Sequence, residues 1–293
     1  MKESNMNLKS ECFSCLLNQS LRVTKNLQLD ESIAIKIVKL ASKSISNYSE
    51  VSPPVAASDL YLKLGNFIEN DDVYKELKVL STQEAMKILP RVEKYVASSQ
   101  EPLNSAIKSA VAGNVIDFAT PNYFDLDLEF KKVFDTSFAI DDESLFLDRL
   151  RDANSLMIIG DNVGEHVFDK LLLETLHNIH PDIQLYYAVR GKPIINDVTL
   201  VEAKEIGIDK ICNLVDSGVD TPGLAYSHAS KEFMTLYNSM DLIIAKGMGN
   251  YECLEDVKDS RIFHLFKVKC DVISKDVGEE LGSLIFMQNR LRA

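Results

Sequence analysis

The chain has 293 residues, 46% of them hydrophobic and 26% charged, enough for one large α/β domain or for two units sharing a core. A formal net charge of -12 and a pI near 5.0 repel phosphate backbones at long range, which excludes nucleic acid as a general partner. No apolar run approaches the roughly 20 residues that span a bilayer. The start, MKESNMNLKSE, lacks the apolar stretch of a signal peptide, so a soluble, cytoplasmic protein without a membrane partner is expected.

Residues 10–113 read as helix throughout. CFSCLLNQSLRVTKNL, ESIAIKIVKLASKSI, ASDLYLKLGNFI, TQEAMKILPRVEKYVASS and PLNSAIKSAVAG carry apolar residues at helical spacing, separated by short polar breaks. Pro53-Pro54 and Pro102 suit breaks or first turns of helices. The five cysteines, Cys12, Cys15, Cys212, Cys253 and Cys270, are an odd number in a long chain with no secretion signal, which argues for reduced thiols. Cys12 and Cys15 form a CxxC, and two thiols are too few for a structural zinc site. With Cys270, at the end of a strand in KVKC, they would make a soft-metal or redox site; the other reading is ordinary buried thiols. Cys212 and Cys253 read as packing residues.

From about residue 141 the pattern changes. The helix ESLFLDRLRDA leads to the strand SLMIIG and the helix EHVFDKLLLETLHNI. The strand IQLYYAV, the short helix LVEAKEIG, the strand KICNLV, the helix SKEFMTLYNSM and the strand DLIIAK follow, and RIFHLFKV closes the series. Strands alternating with helices predict a mainly parallel sheet covered on both faces. With no Gly/Ser linker between the parts, a helical unit over 1–113 packed on an α/β unit over 114–293 is expected.

Ligands of open parallel sheets bind beyond the carboxyl ends of the strands. After SLMIIG come Asp161, Asn162, Gly164 and Glu165. After IQLYYAV come Arg190, Lys192, Asn196 and Asp197. After KICNLV come Asp216, Ser217, Gly218 and Asp220. Lys246 ends DLIIAK and is followed by Gly247, Gly249, Asn250 and Glu252. Four strands thus deliver polar residues and glycines to one edge. Asp161, Asn162 and Asp197 offer hard oxygen ligands, which suit Mg²⁺ or Mn²⁺. Lys246 supplies a point charge for a phosphate, and Gly247 and Gly249 let backbone N–H groups approach anionic oxygens. The glycines match neither a Walker loop nor GxGxxG. Each motif also has a plain reading: Asp161-Asn162 or Asn196-Asp197 as helix caps, KGMGN as a tight turn. The histidines show no ligand spacing. His166 is expected on a helix surface, and His177, His180, His228 and His264 at the surface or in packing.

GDNVGE, RGKPIIND and AKGMGNYE resemble the signature motifs of the metal-dependent damage-control phosphatases, the domain-of-unknown-function family numbered 89. ECFSCLLNQSL, AVAGNVIDF (111–118) and KVKC are similar to its archaeal and bacterial branch, so the resemblance spans nearly the whole chain. It implies a Rossmann-like three-layer α/β/α sandwich with an N-terminal all-helical subdomain. It also implies a divalent metal (Mg, Mn, Co or Ni) and hydrolysis of small phosphomonoesters, either sugar phosphates or damaged phosphometabolites. Carried over, the metal ligands fall on Asp161, Asn162 and Asp197. The phosphate contacts fall on Lys246 with Asn250 beside it, and Asn114 and Asp117 line the same cleft. Ser217, on the same edge, joins the candidate phosphate contacts. Glu165 is the candidate to orient the attacking water, with Asp161 as covalent nucleophile the second route. A non-catalytic phosphometabolite-binding protein and a carboxyl methyltransferase are the alternative functions.

Overall fold

The computed structural model describes residues 6–112 and 133–289. The first part holds five helices, α1 (Ser10–Asn26), α2 (Glu31–Ile45), α3 (Pro53–Ile68), α4 (Lys75–Ser98) and α5 (Pro102–Ala112). Pro53 and Pro54 sit in the first turn of α3, where the missing N–H costs no hydrogen bond, and Pro102 opens α5. Pro90 lies inside α4.

The second part runs β1 (Ile140–Asp141), α6 (Glu143–Leu150), β2 (Ser155–Ile159), α7 (His166–Ile179), β3 (Gln184–Val189), α8 (Leu200–Glu205) and β4 (Asn213–Asp216). It continues with α9 (Lys231–Asn238), β5 (Leu242–Lys246), α10 (Gly247–Leu254), β6 (Ile262–Lys267), α11 (Asp271–Val277) and β7 (Leu284–Gln288). One seven-stranded sheet has the order β1-β7-β6-β5-β2-β3-β4. Every pairing is parallel except β6 with β7. The series therefore does not close at RIFHLFKV: β7 returns beside it, and the short β1 adds an edge.

Strands buried on both faces must be apolar at successive positions, and β2 and β5 are buried at every residue. Their alternate side chains feed two cores. Leu156, Ile158, Leu242 and Ile244 pack on one face with Phe168 and Leu172 of α7. Met157, Ile159, Ile243 and Ala245 pack on the other with Phe233 and Tyr237 of α9 and Leu254 of α10. This is the expected three-layer sandwich.

The core does not divide at residue 113. Val92 of α4 and Ile107 and Val111 of α5 belong to the same cluster as Leu156 and Ile158, so these two helices are part of the sandwich. Only α1 to α3 have a core of their own, built on Leu16, Val23, Ile37, Leu60 and Leu64 and closed by Ile194 from the far part of the chain. The expectation for His166 is also corrected: it is completely buried, its Nδ1 accepting from Gly164 N–H at 3.1 Å. Among the described residues no helix is long and apolar enough to cross a membrane.

Candidate active site

Asp161 and Asp197 lie 36 positions apart in sequence, and two short stretches of extended backbone bring them together. Asn162 pairs with Asp197 in an antiparallel bridge. Val163 N–H donates to Asn196 O at 2.8 Å and Val198 N–H to Asp161 O at 2.9 Å. The segment after β2 is thereby closed onto the segment after β3. Thr199 then starts α8 with a capping box, its side chain and Glu202 satisfying each other's backbone N–H groups, which fixes the far end of the loop. Within the loop Ile195 has φ of 47°, a left-handed conformation that is strained for a β-branched residue.

The predicted polar residues fall into two groups. Asp161, Asn162, Glu165, Asp197 and Lys246 converge. The Asn162 amide donates to Asp161 Oδ2 and to Glu165 Oε1, both at 2.9 Å. Lys246 Nζ, fully buried, lies 3.6 Å from Glu165 Oε2 and 2.7 Å from Asp169 Oδ1. Gly247 sits against Asp161: a Cβ added there would stand 1.9 Å from Asp161 Oδ2.

Asn250 and Ser217 are turned to the backbone. Asn250 donates to Lys246 O at 2.6 Å and Gly160 O at 3.2 Å and accepts from Leu224 N–H at 2.9 Å, tying the ends of β2 and β5 together. Ser217 Oγ donates to Val189 O at 2.6 Å. Gly249 belongs to α10, so KGMGN is the first turn of a helix rather than an open loop, and a Cβ on Gly249 would meet Pro222 O at 1.7 Å. Asn114 and Asp117 lie outside the described residues.

Three side chains that the sequence did not single out as site residues complete the arrangement. Asp169, on the first turn of α7, accepts from Lys246 on one oxygen and from Tyr187 Oη at 2.8 Å on the other. Arg190, 1% exposed, donates from Nε to Asp197 Oδ2 at 2.7 Å. Its Nη1 and Nη2 have no hydrogen-bond partner among the described residues. Their signals in sequence were weak: Asp169 and Tyr187 lie within regular elements, and Arg190 is one of several polar residues after β3.

Burial pushes the Asp161 carboxyl well above the ordinary range, and the Glu165 and Asp197 carboxylates push it further. Burial also raises Asp197, to about 6, against the Arg190 guanidinium. Burial works against the Lys246 charge, but Asp169 and Glu165 outweigh it and hold the ammonium protonated above its usual range. Such a cluster of mutually repelling carboxylates gains from a bound cation. Among the described residues no group of three or more His, Cys, Asp or Glu stands in position to hold a metal ion. The set Asp161, Asp197 and Asn162 is of a different kind, two carboxylates and an amide oxygen, and it fits Mg²⁺ or Mn²⁺, which keep several waters beside one or two carboxylates.

The cysteine expectation finds a neighbourhood without a built site. Burial raises the thiols of Cys12 and Cys270, and Glu252 and the other thiols add to this. All five cysteines are free. Cys270 caps α11 and does not end a strand.

A mainly parallel α/β/α sandwich with an acid-amide-acid cluster at the strand ends defines the class as a Rossmann-like α/β fold. Residues 8–285 match the damage-control phosphatase ARMT1-like domain, and the chain belongs to that family. It is 34% identical to a damage-control phosphatase of Pyrococcus horikoshii over 98% of this chain and 100% of that one. It is 28% identical to a damage-control phosphatase of Archaeoglobus fulgidus, covering 96% of this chain and 98% of the relative. The crystal structure of a DUF89 family protein from P. horikoshii superposes with a TM-score of 0.91 at 34% identity, over 97% of this chain and 100% of that one.

Proposed function

We propose that the chain is a divalent-metal-dependent phosphatase acting on small phosphomonoesters, sugar phosphates or damaged phosphometabolites. The observation that carries this reading is the closure of Asp161 onto Asp197 by the paired backbone segments, with the buried Lys246 ammonium beside them. The names of the relatives favour hydrolysis over methyl transfer.

In this reading Asp161, Asn162 and Asp197 would hold the cation, which would supply Lewis acidity when bound. Lys246 adds positive charge, held in place by Asp169 and Tyr187 from below. Phosphoryl transfer needs chiefly positioning and charge neutralisation, and these groups provide both. Glu165, fixed by the Asn162 amide, orients the water and takes its proton as the new P–O bond forms. The P–O bond to the leaving group breaks, and the proton is returned to the departing oxygen. Direct attack is preferred to a covalent aspartyl-phosphate because the Asp161 carboxylate is committed to the cation.

The test is phosphate release from a panel of sugar phosphates by chelator-treated protein, before and after addition of Mn²⁺ or Co²⁺. Release restored by the metal is expected. Release undiminished by the chelator would overturn the metal part of the reading, and none with any metal, from folded protein, would overturn the whole.

A further inference from the structure

Arg190 carries a positive charge into a fully enclosed position and uses only part of its hydrogen-bonding capacity there. Its backbone is fixed by a parallel bridge to Thr199, with its N–H donating to Val198 O at 2.9 Å. Its Nε is fixed by Asp197 Oδ2 at 2.7 Å. The side chain is 1% exposed, yet Nη1 and Nη2 meet no acceptor among the described residues. A guanidinium does not shed its proton, so these buried donors stay charged and unsatisfied. Buried polar groups are nearly always paired, and an exception of this kind calls for a partner beyond the described residues.

The chemistry of that partner follows from the shape of the donor. The outer edge of a guanidinium is a rigid planar fork whose two N–H directions match two oxygens on one phosphorus or one carboxyl carbon. Lys246, by contrast, already has Asp169 at 2.7 Å and Glu165 at 3.6 Å. Both terminal nitrogens of Arg190 stand without an acceptor among the described residues, whereas the one nitrogen of Lys246 is already held by two carboxylates. The Nε bond of Arg190 to Asp197 places the fork next to a candidate metal ligand.

We propose that the Nη1–Nη2 edge of Arg190 is the receptor for two oxygens of the phosphoryl group, so that Arg190 and not Lys246 alone binds the tetrahedral anion. The inference rests on the phosphatase reading for its ligand class, a phosphate monoester or inorganic phosphate. Asp197 acts as the positioning residue that aims the fork.

The experiment compares wild type with Arg190→Lys, which keeps the charge and removes the fork. Inorganic phosphate is titrated by calorimetry in the presence of Mg²⁺, and Mn²⁺ is titrated separately. Loss of one charged hydrogen bond corresponds to about ten- to a hundredfold in phosphate affinity, while the Mn²⁺ affinity is expected to move by less than about threefold. Phosphate affinity within about threefold of wild type, or no phosphate binding by the wild type, overturns the proposal. Should the lysine variant not fold, crystals of the wild type grown with Mg²⁺ and phosphate decide. Phosphate oxygens about 3 Å from both Nη atoms are expected, and water on both with phosphate elsewhere overturns it. Neither readout needs turnover. Phosphate held by Arg190 in a protein that hydrolyses nothing would sink the phosphatase reading and leave this inference standing. Hydrolysis by Arg190→Lys at the wild-type KM would do the reverse.

Discussion

Replacing Gly247 by alanine tests the candidate metal cluster without touching any of its ligands. A Cβ at 247 would lie 1.9 Å from Asp161 Oδ2 and 2.2 Å from its Cγ, where real Cβ contacts essentially never fall under 3.0 Å. The carboxylate must therefore retreat by roughly 1 Å, a displacement that can cost about a hundredfold when it misplaces a reacting constellation. The backbone adds its own cost, because Gly247 has φ of 76° and an L-residue there loses about 1–2 kcal/mol. Gly249→Ala is the control: its Cβ would meet Pro222 O at 1.7 Å, a backbone clash away from Asp161. Mn²⁺ titration calorimetry beside chemical denaturation separates the two. Gly247→Ala is expected to lose metal affinity by about a hundredfold with a modest loss of stability, and Gly249→Ala to lose mainly stability. A Gly247→Ala protein that binds Mn²⁺ with the wild-type constant would refute the placement of Asp161 as a ligand.

Other outcomes follow from the buried charges. Lys246→Met leaves the Asp169 carboxylate buried without its cation and should destabilise by about 3–5 kcal/mol in urea; Lys246→Met with Asp169→Leu should recover much of this but no activity. Burial pushes His264 down to about 4, below its ordinary value near 6.5 in the unfolded chain, so the unfolded state takes the proton first and stability is lost as pH falls below that value. Between pH 7 and pH 5 this amounts to roughly 2 kcal/mol, and His264→Leu should show a pH dependence of unfolding weaker by that amount. Burial raises Glu252 to about 8, so its native carboxylate is penalised increasingly as pH climbs from its unfolded value; Glu252→Gln should gain stability over wild type at pH 8 and lose that advantage toward pH 5.

The strands that build the site were legible because each is an uninterrupted apolar run ending in a polar residue or glycine, as in LMIIG and LIIAK. β7 was not, because LIFMQ follows a polar loop and pairs antiparallel, outside the strand-helix alternation that organised the reading. Asp161, Asn162 and Asp197 stood out by position at strand ends, and the backbone bridge between them is what sequence spacing cannot express. His166 was misplaced because EHVFDKLLLETLHNI has a polar face in isolation, whereas in the fold its ring is enclosed beside Glu202 of α8. Asp169 and Tyr187 were hidden for a related reason: their charge and hydroxyl are satisfied inside the protein, so nothing local distinguishes them from surface residues of a helix and a strand. The glycines of KGMGN suggested a loop, since glycine disfavours helix, but Gly249 is demanded by the approach of Pro222 and sits in a helix nonetheless.

In the proposed function a cation held by Asp161 drives phosphate release. Hydrolysis of p-nitrophenyl phosphate with and without Mn²⁺ or Co²⁺, for wild type beside Asp161→Asn, tests it most directly. Metal-dependent release is expected, falling by about a hundredfold or more in a variant that still folds. Equal release by the two proteins, or release indifferent to metal, would contradict it.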